Sequence, residues 1–277
     1  MIWSALLRRL TGRQPPTSGL VRRRIDPTGP FYAVGDVHGH LDALLALEAL
    51  IVADAREQGG QPTLVYLGDL IDRGPQSAGV LDCLMARDES VTRLALGGNH
   101  EALMLEFLAR PRREHEWLEF GGRETLLSYG ISDDDLRRAE AVPRRLEQIV
   151  RAHVPDEHVR FLAGLPHLIE APGHLLVHAG LRPGVGLEQQ SAGDLLWYRD
   201  DFEADYAGLG ARVVHGHTPG PAVRMKPFRL NLDTGAYRGG PLSAARLSAH
   251  ADPFILAVAQ GSRGGAWTPW SGPTSTS

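Results

Sequence analysis

The sequence predicts an α/β fold with a β-rich second half. Two observations carry this reading. Strand-like and helix-like apolar patterns alternate from Phe31 to about residue 109, and three successive strand-like runs end in glycine and a polar cluster before a helix. From Leu175 onward, short strand-like runs dominate.

Taken in order, the first strand ends at Ala33–Gly35, where Gly35 and Gly39 allow a sharp turn around Asp36 and His38. Residues 41–56 carry apolar side chains at 41, 44, 45, 47, 50, 51 and 52, the pattern of a helix covering a sheet. Thr63–Leu67 is the next strand and runs into Gly68-Asp69. Pro75 opens a helix that continues through Val80–Met85. Val91–Leu96 is the third strand and ends in Gly97-Gly-Asn-His-Glu101, with a helix beyond. Residues 101–170 then break the alternation. Helices are expected near 101–109, 114–128, 133–150 and 156–163, as an α-helical insertion. Between 110 and 151 nine arginines meet nine acidic residues, which describes a solvated, salt-bridged surface and not a polyanion patch. Strands follow at 175–178, 212–215, 228–232, 242–247 and 254–259.

Both ends differ from this body. Residues 1–29 hold six arginines against Asp26, with Ile2, Trp3, Leu6, Leu7 and Leu10 at helical spacing. One reading is a basic amphipathic segment making weak contact with a membrane surface or partner. The preferred one is a short helix docked on its own domain, or a leader, joined by the linker at 14–19. Residues 30–260 form the expected main domain, and 261–277, rich in Gly, Ser, Thr and Pro, a flexible C-terminal tail that Trp267 and Trp270 could pin to the body.

The 277 residues suffice for one large domain, or one with an insertion. A net charge of -4 argues against a nucleic-acid binder. Cys83 is the only cysteine, in an apolar helical pattern, so disulfides and multi-thiolate metal sites are excluded. Any metal must be held by His, Asp, Glu or Asn, which suits Mn, Mg, Fe or Zn. No apolar run reaches the ~20 residues of a membrane span, and the start is too short and too interrupted by Arg8 and Arg9 for a signal peptide. A cytoplasmic protein is expected.

Five clusters each follow an expected strand: Gly35-Asp-Val-His-Gly39, Gly68-Asp-Leu-Ile-Asp-Arg-Gly74, Gly98-Asn-His-Glu101, Val177-His-Ala-Gly180 and His215-Gly-His-Thr218. Singly, Asp36, Asp69 or Asn99 reads as a helix cap and His178 as a satisfied core histidine. Together they offer enough oxygen and nitrogen ligands for two metals.

In kind and order these clusters resemble the metal-dependent phosphoprotein phosphatases of the calcineurin-like metallophosphoesterase superfamily, from about Pro30 to Leu247. Bacterial and phage-type serine/threonine phosphatases are nearest in flavour, through Trp197-Tyr-Arg199 and Asn231–Gly240. The resemblance implies a four-layer αββα sandwich. It implies two divalent ions, Mn first, with Fe, Zn or Mg as alternatives. Asp36, His38 and Asp69 would hold one, and Asp69, Asn99, His178 and His217 the other, with Asp69 bridging ions about 3.5–4 Å apart. With neutral Asn99 and histidines the site would stay positive and attract phosphate. A metal-activated water would attack phosphorus directly. His100 would be the general acid, oriented by Asp72. Arg73 and Arg199 would grip phosphate together with Asn99, while His215 would either touch phosphate or orient His217. Glu101 reads as a carboxylate favoured at a helix start.

The first expectation for the substrate is phosphoserine or phosphothreonine in proteins, as phosphomonoesters. The alternative is a diadenosine-polyphosphate or other nucleotide pyrophosphohydrolase on the same site, since Gly74–Leu81 resembles both branches.

Overall fold

The computed structural model describes residues 20–200, 202–261, 265–270 and 275–276. The amphipathic pattern at Ile2–Leu10 lies outside them. Two β-sheets pack face to face. The strands are β1 (Arg22–Arg24), β2 (Phe31–Val34), β3 (Thr63–Tyr66), β4 (Thr92–Ala95), β5 (Leu168–Ala171), β6 (His174–Val177), β7 (Arg212–His215), β8 (Arg224–Lys226), β9 (Arg229–Asn231), β10 (Leu242–Ser248), β11 (Ala251–Gln260), β12 (Trp267–Pro269) and β13 (Ser275–Thr276). The helices are α1 (Leu41–Glu57), α2 (Ser77–Met85), α3 (Asn99–Ala109), α4 (Gly122–Ser128), α5 (Asp133–Glu140), α6 (Pro143–His153), α7 (Asp156–Ala163) and α8 (Ala192–Trp197).

One sheet runs β12-β11-β10-β2-β3-β4 and the other β1-β5-β6-β7-β9-β8-β13. Strand alternation builds the layers. Phe31, Ala33, Val65 and Leu67 point between the sheets to meet Ile169, Leu176, Val214 and Leu230. Their neighbours Tyr32, Val34, Leu64 and Tyr66 face the other way, into a core shared with α1, α2 and the helices that follow. On the far side, Leu168, Leu175, Val177 and Val213 pack with Leu195 of α8 and Tyr206. The result is helix, sheet, sheet, helix-and-loop: the expected α/β sandwich.

Parallel pairing sets the function-bearing loops side by side. Val34 pairs with Tyr66, and Tyr66 with Ala95, so the loops after β2, β3 and β4 leave one edge together. In the other sheet β6, β7 and β9 are also parallel, and the Gly216 N–H donates to the His178 carbonyl at 2.8 Å. All five polar clusters therefore meet at one rim, where the two sheets' carboxyl ends converge.

Two expectations need correction. The helix foreseen over 114–128 is two pieces, a short turn at Glu116–Leu118 and α4, because Gly121 adopts φ 109° between them. The helix over 133–150 is likewise split, since Pro143 starts α6 and Val142 before it is extended at φ -135°. Within the C-terminal tail β12 pairs antiparallel with β11, and Trp267 packs against the helix-side core. The helices of 101–170 bury Phe107, Trp117, Leu126, Leu146 and Leu162 in the same core as α1 and α2.

Candidate active site

The loops at this rim are strained. Six described non-glycine residues have positive φ, and five of them belong here: His38 at 45°, Asp69 at 49°, Asp72 at 73°, Arg73 at 69° and His217 at 66°. Such backbone costs roughly 1–3 kcal/mol per residue and persists where the surroundings enforce it. One enforcer is Glu101, in the first turn of α3. Its buried carboxylate accepts the N–H of Gly98 (2.7 Å), Asp69 (2.9 Å), Leu70 (2.8 Å) and Ile71 (3.3 Å). Glu101 does more than answer a helix dipole: it shapes the turn that presents Asp69.

Two convergent sets of ligand atoms result. In one, His38, Asp69 and His100 bring their atoms within 4.8 Å of one another, and in the other Asp69, His178 and His217 do so. Asp69 belongs to both. Its Oδ2 lies 3.6 Å from His38 Nε2, and its Oδ1 lies 3.3 Å from His178 Nε2. The histidines are aimed by backbone. His38 Nδ1 meets the Ile71 carbonyl at 3.0 Å and His178 Nδ1 the Leu67 carbonyl at 2.9 Å, so each presents Nε2 to the centre. Asn99 Oδ1 lies 2.9 Å from both His178 Nε2 and His217 Nδ1, which are 3.2 Å apart.

Asp36 is buried beside these sets, and His100 joins His38 and Asp69 in the first one. Asp36 Oδ2 accepts the His217 N–H at 3.0 Å, while its Oδ1 is buried without a hydrogen-bond partner. Burial, with the charges of Asp233 and Asp69 nearby, raises its carboxyl well above the ordinary range.

A metal fits this donor set. A buried carboxylate oxygen without a donor is a costly arrangement that a cation relieves. The ligand spacings match about 3.4 Å between atoms bound ~2.1 Å from one tetrahedral ion. Burial keeps the histidines neutral, as ligands must be. It pushes His178 down to about 4, and it lowers His38 and His217 as well. Cationic groups already address these lone pairs. Arg73 reaches His38 Nε2 (2.9 Å) and His100 Nε2 (3.0 Å), and Arg199 Nε donates to His217 Nε2 (2.9 Å).

His100 and Asp72 form a separate unit. His100 Nδ1 lies 2.7 Å from Asp72 Oδ2, which also accepts Trp117 Nε1–H at 2.7 Å, and Asp72 Oδ1 accepts the Thr125 hydroxyl at 2.6 Å. Burial pushes the Asp72 carboxyl up to about 8, against these donors and Arg73. Burial lowers His100, while Asp69 pulls it upward. Trp117 and Thr125 come from the helical segment, and no spacing in the sequence marks them.

His215 does not reach the open face. It is fully buried, its Nδ1 lies 3.0 Å from the Gly216 carbonyl, and its Nε2 accepts Arg229 Nε–H at 2.9 Å. Arg229 in turn grips Asp200 with both terminal nitrogens, each contact 2.9 Å. Sequence reasoning also passed over Asp233 and Tyr237, although both lie in the stretch 231–240 that it had noticed. Tyr237 stacks under Arg73, 4.1 Å from ring centroid to guanidinium carbon, and stands edge-on to His38 at 4.9 Å.

The sequence profile of calcineurin-like phosphoesterases matches residues 29–247. The chain belongs to the calcineurin-like phosphoesterase family. Among relatives of this phosphoesterase, a bis(5'-nucleosyl)-tetraphosphatase PrpE [asymmetrical] of Anoxybacillus flavithermus is 25% identical over 234 residues, covering 77% of this chain and 88% of the relative. The protein of that name from Geobacillus thermodenitrificans is 27% identical over 240 residues, with the same 77% and 88% coverage. The solved structure of a candidate diadenosine tetraphosphatase superposes with a TM-score of 0.59 at 23% identity, over 86% of this chain and 98% of that one. That of a cold-active protein-tyrosine phosphatase of a Shewanella species gives 0.56 at 17% identity, over 87% and 80%. These two likenesses speak for the fold. As a family member the protein is a metal-binding phosphoester hydrolase, and no helix among the described residues is long and apolar enough to cross a membrane.

Proposed function

We propose that this phosphoesterase hydrolyses bis(5'-nucleosyl) tetraphosphates off-centre, using two divalent ions held across Asp69. The observation that carries the chemistry is the pair of ligand sets sharing Asp69, with His100 at their edge. The names of the relatives supply the substrate class. The sequence's first choice, a protein phosphoserine or phosphothreonine, has less support than this alternative.

The residues divide the work. Asp36, His38 and Asp69 would hold one ion, with His100 close enough to compete for the same place. Asp69, Asn99, His178 and His217 would hold the other. Divalent ions in these positions supply Lewis-acid polarisation of a phosphoryl oxygen and acidify a water. Hydrolysis adds OH to phosphorus and H to the departing phosphate oxygen. His100 Nε2 faces Arg73 in the arrangement seen, so it would take up a proton from solvent there before giving it to the departing oxygen. The proton lost by the attacking water restores it. Asp72 accepts from Nδ1–H and fixes the ring's direction.

The arginines change partners in this scheme. In the arrangement seen, His217 accepts from Arg199 at Nε2, so its own proton is on Nδ1. A cation at Nδ1 would require that proton on Nε2, which would then no longer accept from Arg199. A cation on His38 Nε2 would likewise displace Arg73, whose guanidinium lies over the Tyr237 ring. Both forks would then be free for phosphate oxygens.

The test is an assay of the purified protein with Mn2+, with Mg2+ and with chelator. The substrates are diadenosine tetraphosphate, a phosphoserine peptide and p-nitrophenyl phosphate. Metal-dependent appearance of two unequal nucleotides is expected. Hydrolysis of the peptide without the dinucleotide returns the protein-phosphatase alternative, and no hydrolysis of any of the three with Mn2+ sinks the catalytic reading.

A further inference from the structure

Trp197 stands exposed beside this site. It ends α8, whose neighbouring Leu195 and Leu196 are buried, yet it remains 44% exposed. Its ring lies 6.3 Å from the His217 imidazole, nearly perpendicular at 85°. Two residues on, the exposed Arg199 reaches the same imidazole through Nε. Among the described residues Arg199 makes no other hydrogen bond or ion pair, which leaves its two terminal nitrogens available to a ligand. A flat apolar surface and a planar cation thus flank one ligand histidine. That pairing fits a nucleotide, whose base offers a π face next to a charged phosphate.

Resting on the substrate class proposed above, we propose that Trp197 is the nucleobase platform of this site. It stacks one base of the dinucleotide while Arg199 takes the adjoining phosphate. Every base has a π face, so such a platform holds nucleotides with little choice among bases and favours them over bare polyphosphate. The polyphosphate then lies across the ligand sets in a fixed direction from the Trp197 side, which sets the bond that is presented. Burying exposed indole on binding adds to the affinity, because the free enzyme leaves that surface in water.

The experiment compares wild type, W197F and W197A. It reads KM and kcat for diadenosine tetraphosphate and the inhibition constant of inorganic tripolyphosphate. For W197A, KM should rise about tenfold or more, with the tripolyphosphate constant moving less than about twofold. W197F, which keeps a ring, should recover most of the loss. An unchanged dinucleotide KM in W197A overturns the platform, as does an equal rise in both constants, which would mean a distorted site. If wild type does not cleave the dinucleotide at all, the substrate reading itself fails, and that outcome is separable from the other two.

Discussion

The backbone N–H of His217 donates to Asp36 Oδ2 at 3.0 Å, joining the loop after β7 to the loop after β2. This bond couples the two proposed metal positions through the protein itself. It leaves Asp36 Oδ1 inward and partnerless, and it brings the Gly216 backbone against the carboxylate. A methyl group at Gly216 would lie 1.9 Å from Asp36 Oδ1, the end of a short, buried side chain. Gly216→Ala should therefore push the carboxylate aside and cost about 1–3 kcal/mol of stability, as overpacking does. Metal content by elemental analysis should fall below that of wild type, together with Tm. Unchanged metal content would show that Asp36 is not a ligand in this arrangement.

His100 invites two readings that one variant separates. Its Nδ1 is committed to Asp72, while its Nε2 lies 3.8 Å from Asp69 Oδ2 and close to the His38 set. As the proton donor, His100→Asn should lower kcat about 100-fold or more while metal content stays near wild type. Loss of one ion per chain in the variant would make His100 a ligand instead.

Much of this was legible because the family's chemistry is written in local clusters. Asp36, His38, Asp69, Asn99, His178 and His217 each follow a strand, and parallel register carries all of them to one rim. What escaped is what sequence distance hides. Trp117 and Thr125 act on Asp72 from helices 45 and 53 residues away. Glu101 does cap its own helix start through Gly98, but its other three partners, Asp69, Leu70 and Ile71, lie in another loop. The strand β1 is three arginines and has no apolar pattern; it forms by backbone pairing with β5 at a sheet edge. The two helix breaks were marked by Gly121 and Pro143 and were overrun by the apolar periodicity on either side.

Glu101 offers a test of how Asp69 is held. Its two carboxylate oxygens take four backbone N–H groups, so both must be acceptors. In Glu101→Gln one of them becomes an NH2 that faces donors. The buried mismatch should cost about 3 kcal/mol. It should also loosen the positive-φ turn at Asp69. Urea denaturation and metal titration are expected to report a lower midpoint and weaker binding together. A normal midpoint would mean that the turn holds itself without this carboxylate.

The Asp200–Arg229 pair predicts a defined acid response. Burial alone would raise the Asp200 carboxyl. The Arg229 guanidinium and the N–H groups of Ala204 and Phe202 outweigh it and hold the group at about 2. A carboxylate with a depressed folded value contributes stability that is fully present above its unfolded value, near 4, and is lost as pH falls through about 2. Arg229 is itself buried and supports His215, so Asp200→Asn leaves a buried cation without its counter-charge and should cost about 3 kcal/mol at neutral pH. Thermal melts in the presence of chelator, from pH 7 down to pH ~2, should show the Tm gap between wild type and variant constant above pH ~4 and closing below it. A gap that stays constant through that window would mean that the pair adds nothing linked to the proton on Asp200.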